Sequence, residues 1–145
     1  MRVQDWMTAE VVTVGGSTSL REAAELMTSR KFRHLPVVEE GRLVGIVSER
    51  DLRQAMPSQV MSRALQGSDK LLDKACVRDI MTRRVVGVSP EVPIGKAAAL
   101  MARNKIGCLP VLEGEALVGI ITGSDILHAV AEEKGVVALP EVPLS

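Results

Sequence analysis

Aromatic residues are nearly missing from this chain: Trp6 and Phe32 stand alone, and there is no tyrosine. Bases of single-stranded nucleic acid therefore find no stacking platform. A surplus of charge is missing too, since 18 basic residues balance 18 acidic ones. No overall field draws the chain toward DNA or an anionic membrane, so neither is expected as a partner. No run of about 18 apolar residues could span a bilayer. The first eight residues carry Asp5 and lack the apolar stretch of a secretory signal. Cys76 and Cys108 are isolated and form no CxxC pattern. Two free thiols without a signal fit a reducing compartment, and a cytoplasmic location is expected. His34 and His128 have no Cys or His at ligand spacing, so no metal site is expected. There is no Gly-x-Ser-x-Gly elbow, no Ser/His/Asp set and no P-loop. The reading is that of a non-enzyme.

What the chain has is aliphatic bulk and repetition. Of its 145 residues 46% are apolar, enough for one compact domain or two small ones sharing a core. Shifted against itself by 74 positions, the stretch 3–56 falls on 77–130 without a gap, and 22 of the 54 pairs are identical. Leu35-Pro36-Val37 returns as Leu109-Pro110-Val111, and Leu43-Val44-Gly45-Ile46 as Leu117-Val118-Gly119-Ile120. The division is residues 1–56 for the first repeat, 57–76 for a linker, 77–134 for the second repeat and 135–145 for an extended tail. Pro140 and Pro143 keep that tail from continuing a helix.

Within each copy the pattern reads strand, helix, strand, strand, helix, an α/β (α+β) fold of two β-α-β-β-α units. The β-branched runs 11–14 and 85–88 are the first strands. Leu20, Ala23, Ala24 and Met27, echoed by Ile94, Ala97, Ala98 and Met101, repeat at three and four residues and predict amphipathic helices. Ser19 with Glu22 offers a capping box, and Pro93 stands at the matching start. A tight turn at Glu39-Glu40-Gly41 joins the next two strands. Leu52, Ala55 and Met56 open the last helix, with Ile126, Ala129 and Val130 in the second copy. One copy is too small to bury all of this. Two copies packed about a pseudo-twofold axis share a core and leave two equivalent clefts.

The chemistry concentrates where the third strand turns into the last helix: Gly45-Ile-Val-Ser48-Glu-Arg-Asp51 and Gly119-Ile-Ile-Thr122-Gly-Ser-Asp125. A hydroxyl at a helix start, beside unpaired N–H groups and the positive end of the dipole, can receive a phosphate. A carboxylate one turn on can accept two hydrogen bonds, matching the adjacent hydroxyls of a ribose. Ser-x-x-Asp is also an ordinary capping box, and Gly45 alone could mark a bulge. The joint recurrence of glycine, hydroxyl and aspartate in both copies favours a site.

Met-Thr before the first strand, Leu-Pro-Val on the second and the Gly-to-Asp segment into the last helix, in this order and twice, resemble cystathionine β-synthase (CBS) domains in tandem, the Bateman module. More loosely, the chain is similar to small bacterial CBS-pair proteins, including those linked to acetoin utilisation. The resemblance covers residues 1 to about 134. It implies a regulatory module that binds adenine nucleotides (AMP, ADP, ATP or S-adenosylmethionine) and does no chemistry on them. No other cofactor is implied, and Mg²⁺ only with a polyphosphate. It also implies composite clefts. Cleft A would use Ser48, Arg50 and Asp51 with Val86, Gly107 and Cys108; cleft B would use Thr122, Ser124 and Asp125 with Val12, Arg33 and His34. With Arg33 and His34 facing it, cleft B is expected to hold phosphate more tightly. Backbone groups near Val12 and Val86 would read the base edge. A homodimer packed through the amphipathic helices is implied as well, helped by the small Ala23, Ala24, Ala97 and Ala98, and a separate regulated protein would read the ligand. The competing reading is a structural dimerisation module with vestigial clefts.

The remaining candidates read as structure. Trp6 aligns with Ile80 and belongs to the core, and Met7, Met27, Met81 and Met101 are packing residues. Arg30, Lys31, Arg50 and Arg53 form a solvated face from which one could reach a phosphate. Pro36 and Pro110 belong at a strand's start or edge.

Overall fold

The computed structural model describes residues 1–55, 71–133 and 142–143. Linker residues 57–70, and the tail apart from Val142 and Pro143, lie outside the described residues. The first copy supplies α1 (Val3–Trp6), α2 (Leu20–Arg30), β1 (His34–Glu39), β2 (Arg42–Ser48) and α3 (Glu49–Ala55). After α4 (Leu71–Lys74), the second copy supplies α5 (Val77–Ile80), α6 (Ile94–Asn104), β3 (Cys108–Glu113), β4 (Ala116–Thr122) and α7 (Gly123–Glu133). The fold is mixed α and β, with two antiparallel hairpins of matching register.

Local chemistry sets the element ends. The Ser19 hydroxyl caps α2 by accepting from the Glu22 N–H at 3.1 Å. The turn between β1 and β2 places Glu40 and Gly41 at φ 51° and 77°, the two positive values that a two-residue type I′ hairpin needs. The apolar stripe of α2 (Leu20, Ala23, Ala24, Met27) is buried against Leu35, Val37, Val47 and Leu52. A two-stranded hairpin alone is marginal in water. Burying a side chain such as Leu35 or Leu52 stabilises by roughly 1.5–3 kcal/mol, so the helices make each hairpin stable.

The expected first strands are shorter than their β-branched runs suggest. Each is reduced to one parallel bridge, Val14 with Val37 and Val88 with Val111. The Val14 N–H donates to the Pro36 carbonyl at 3.0 Å, and the Val38 N–H donates to the Val14 carbonyl at 2.9 Å. The next rung would need an N–H from Pro36 to reach Val12. Proline has none, and the ladder stops. Pro110 does the same beside Val86, so each proline lies on an edge strand of a two-stranded sheet, as expected, and ends the neighbouring segment.

The two copies also exchange their leading residues. Val3 is buried with Val88, Leu109, Val111 and Ile121 of the second copy, and Trp6 and Met7 pack beside it. Val77 and Met81 are buried with Val14, Leu35 and Val47 of the first copy. Thr8 and Ile120 trade backbone hydrogen bonds of 2.9 and 3.0 Å, and Thr82 and Ile46 make the matching pair. Every such bridge returns under the 74-residue shift with the copies interchanged. That is a pseudo-twofold axis.

Candidate functional site: two composite clefts

Each repeated hydroxyl–aspartate pair lies where a strand enters a helix. Asp51 Oδ2 accepts from the Ser48 N–H at 2.8 Å, and the Asp51 N–H donates to Ser48 Oγ at 3.0 Å. Asp125 Oδ2 accepts from the Thr122 N–H at 2.9 Å and from Thr122 Oγ1 at 3.0 Å. Both are capping boxes. The Glu49 and Gly123 N–H groups are also occupied, donating to the Arg33 and Gly107 carbonyls at 2.8 and 3.0 Å. The supply of unpaired N–H groups expected at these helix starts is therefore mostly spent. What stays open is Oδ1 of each aspartate, which has no hydrogen bond among the described residues.

Cleft A has a volume of about 400 Å³. It brings together Ser48, Arg50 and Asp51 of the first copy with Val86, Gly107 and Cys108 of the second. Cleft B, about 520 Å³, joins Thr122 and Ser124 with Val12, Arg33 and His34. Asp125 is not among the residues that line it. Both volumes suit a small organic ligand.

Two expectations about these clefts are corrected. Arg33 and His34 line both clefts, not cleft B alone, and Gly107 lines both as well. The cause is the axis: these residues sit at the seam, where an added Cβ on Gly107 would lie 3.6 Å from Cε1 of His34. Arg33 therefore gives cleft B no advantage. The balance of charge runs the other way, because Arg50, Arg53, Arg84 and Lys105 all line cleft A. Arg84 and Lys105 were not singled out in the sequence. The self-alignment carries the missing signal, since Arg84 matches Glu10.

Burial shapes the titrating groups here. Desolvation pushes the His34 pKa below its usual value; the Asp51 carboxylate opposes this, and the Arg33 guanidinium adds to it. Burial also pushes the Cys108 thiol up to about 12, so it stays protonated and unreactive. Among the described residues no three His, Cys, Asp or Glu side chains gather as metal ligands. Among them, too, no helix is long and apolar enough to cross a membrane.

The CBS domain family matches residues 3–58 and again residues 77–132. This chain is a pair of CBS domains. YhcV, a CBS domain-containing protein of Bacillus subtilis, is 32% identical to it over 124 residues, covering 86% of this pair and 81% of YhcV. Protein MJ1225 of Methanocaldococcus jannaschii is 34% identical over 127 residues; the CBS pair described here spans only 45% of it. Among solved structures, AcuB of Vibrio cholerae, assigned to acetoin utilisation, superposes with a TM-score of 0.76 at 34% identity over 93% of both chains. CBSX2, solved in complex with AMP, gives a TM-score of 0.76 at 30% identity, covering 92% of this chain and 98% of that one. The CBS pair of MJ0100, solved with 5′-methylthioadenosine and S-adenosylmethionine, gives 0.74 at 27% identity over 92% and 98%.

Proposed function

We propose that this CBS pair is a non-catalytic regulatory module that binds adenine nucleotides in its two clefts. The observation that carries the reading is the composite lining: each cleft draws a hydroxyl-bearing helix start from one copy and strand residues from the other. A ligand held this way touches both copies, so its binding free energy acts on their relative packing. The AMP-bound and S-adenosylmethionine-bound relatives support the choice of ligand. The ribose diol would meet the open Oδ1 of Asp51, and the base would lie on aliphatic strand residues. The Val12 and Val86 carbonyls, which Pro36 and Pro110 cannot reach as donors, would accept from its exocyclic amine. Mg²⁺ enters only with a polyphosphate. The module works as a homodimer in the cytoplasm, and a separate regulated protein reads its state.

One observation favours the structural alternative: both capping boxes are complete without a ligand. Melting curves with AMP, ADP, ATP, S-adenosylmethionine and NADH separate the two. A ligand at 100 times its dissociation constant adds about 2.7 kcal/mol, a shift of several degrees for a domain of this size. No shift with any of them leaves the dimerisation module.

A further inference from the structure

The two clefts come from one repeated unit, yet their charges differ at matching positions. Under the 74-residue shift Arg84 falls on Glu10, and Arg50 on Ser124. Arg84 and Arg50 line cleft A, whereas Glu10 and Ser124 line cleft B. Cleft A holds five cationic and two acidic side chains, net +3, with His34 neutral. Cleft B holds two cationic and one acidic, net +1. The whole chain carries no net charge, so this concentration is local.

These cations are not there to pair with protein carboxylates. Glu49 holds Arg53 at 2.7 Å, but among the described residues Arg33, Arg50, Arg84 and Lys105 have no ion pair. Lys105 closes α6 in the left-handed region at φ 54°, its N–H donating to the Met101 and Ala102 carbonyls. Glycine is the usual solution at a helix C-terminus. Lys105 and the three unpaired arginines therefore leave positive charge around cleft A that no protein carboxylate meets among the described residues. Guanidinium and ammonium groups around one space are complementary to a chain of phosphates, each contact a charge-assisted hydrogen bond.

We propose that cleft A is the polyphosphate cleft, selecting adenine nucleotides by their number of phosphates, while cleft B accepts the nucleoside with little regard to that number. The proposal rests on the reading of both clefts as adenine sites. Cleft B keeps the equivalent lysine, Lys31, also left-handed at φ 58°, but Glu10 offsets it where cleft A has Arg84. One cleft would then report the energy-rich nucleotide, and the other the total adenosine pool.

Calorimetric titration of the full chain with ATP, ADP, AMP and adenosine, at 50 and 200 mM KCl without Mg²⁺, tests this. One site should tighten at least tenfold from AMP to ATP and weaken with salt, and the other should stay flat. Arg84 is exposed, so Arg84→Glu spares the core. It should cost the first site at least tenfold for ATP and leave adenosine within twofold. Glu10→Arg should make the second site phosphate-dependent. Flat affinities at both sites, or an Arg84→Glu loss equal for ATP and adenosine, would overturn the proposal while leaving adenine binding intact. If no adenine compound binds, inorganic tripolyphosphate decides: salt-sensitive binding lost in Arg84→Glu keeps the polyphosphate cleft without the adenine reading, and no binding ends both.

Discussion

Sδ of Met81 occupies the space that a side chain at Gly45 would need: a Cβ there would stand 2.7 Å from the sulfur and 2.9 Å from the Thr82 carbonyl oxygen. Met7 and Thr8 do the same at Gly119, at 2.6 and 3.0 Å. These glycines let the leading residues of one copy lie on the sheet of the other. Gly45→Ala and Gly119→Ala should each destabilise by about 1–3 kcal/mol, the usual cost of overpacking. Gly95, on the exposed side of α6, has nothing within 4 Å of an added Cβ. Gly95→Ala should stabilise by about 0.4–1 kcal/mol. Urea unfolding of the three variants checks this; a Gly45→Ala variant as stable as the parent would mean that the seam yields freely.

The Gly45 seam also marks how far the sequence could be read. Duplication, helix stripes and hairpins were legible because periodicity and the 74-residue identity depend only on local burial. The exchange was not: aligning Val3 with Val77 looks the same whether each packs on its own copy or on the other. Nothing in a self-alignment names a partner. The strand-like side chains of Val11, Val12 and Val14 predict a longer first strand than forms, because the ladder depends on a donor that Pro36 lacks. The seam placed Arg33 on both clefts for the same reason, since its neighbours lie across the axis.

The proposed homodimer rests on exposed apolar surface. Leu127 is 72% and Val130 45% exposed on α7, one turn apart on a helix whose other face is buried. Leu127→Glu should shift the chain from dimer to monomer in sedimentation at micromolar concentration, with little loss of helix signal. A parent chain that is already monomeric would refute the assembly.

The two thiols should differ in chemistry. Cys108 is 5% exposed with its pKa pushed up to about 12, while Cys76 is partly exposed. A disulfide reagent at pH 8 should titrate one thiol quickly in the folded chain and two in denaturant. Mass spectrometry should place the fast label on Cys76. Fast labelling of Cys108 would mean that cleft A opens far more readily than its packing suggests.

His34 should make stability depend on pH in a defined window. An unfolded histidine titrates near 6.5, and burial holds the folded one lower, with Asp51 opposing the shift and Arg33 reinforcing it. Above about pH 6.5 the ring is neutral in both states, and its packing contributes fully. As the pH falls below 6.5 the unfolded chain takes up the proton first, so stability declines until the folded pKa is passed and then levels. Asp73 and Asp79 are also shifted, downward, by hydrogen bonds from Arg21 and from the Cys76 backbone. Their contributions are lost only in the carboxylate range, at lower pH. Replacing the ring by an amide in His34→Gln should therefore flatten the stability curve between pH 7 and 5 and leave its acid limb unchanged. Urea midpoints at half-unit steps of pH decide the matter. A parent and variant whose curves run parallel through that window would assign the slope to other groups and leave His34 a spacer between the two clefts.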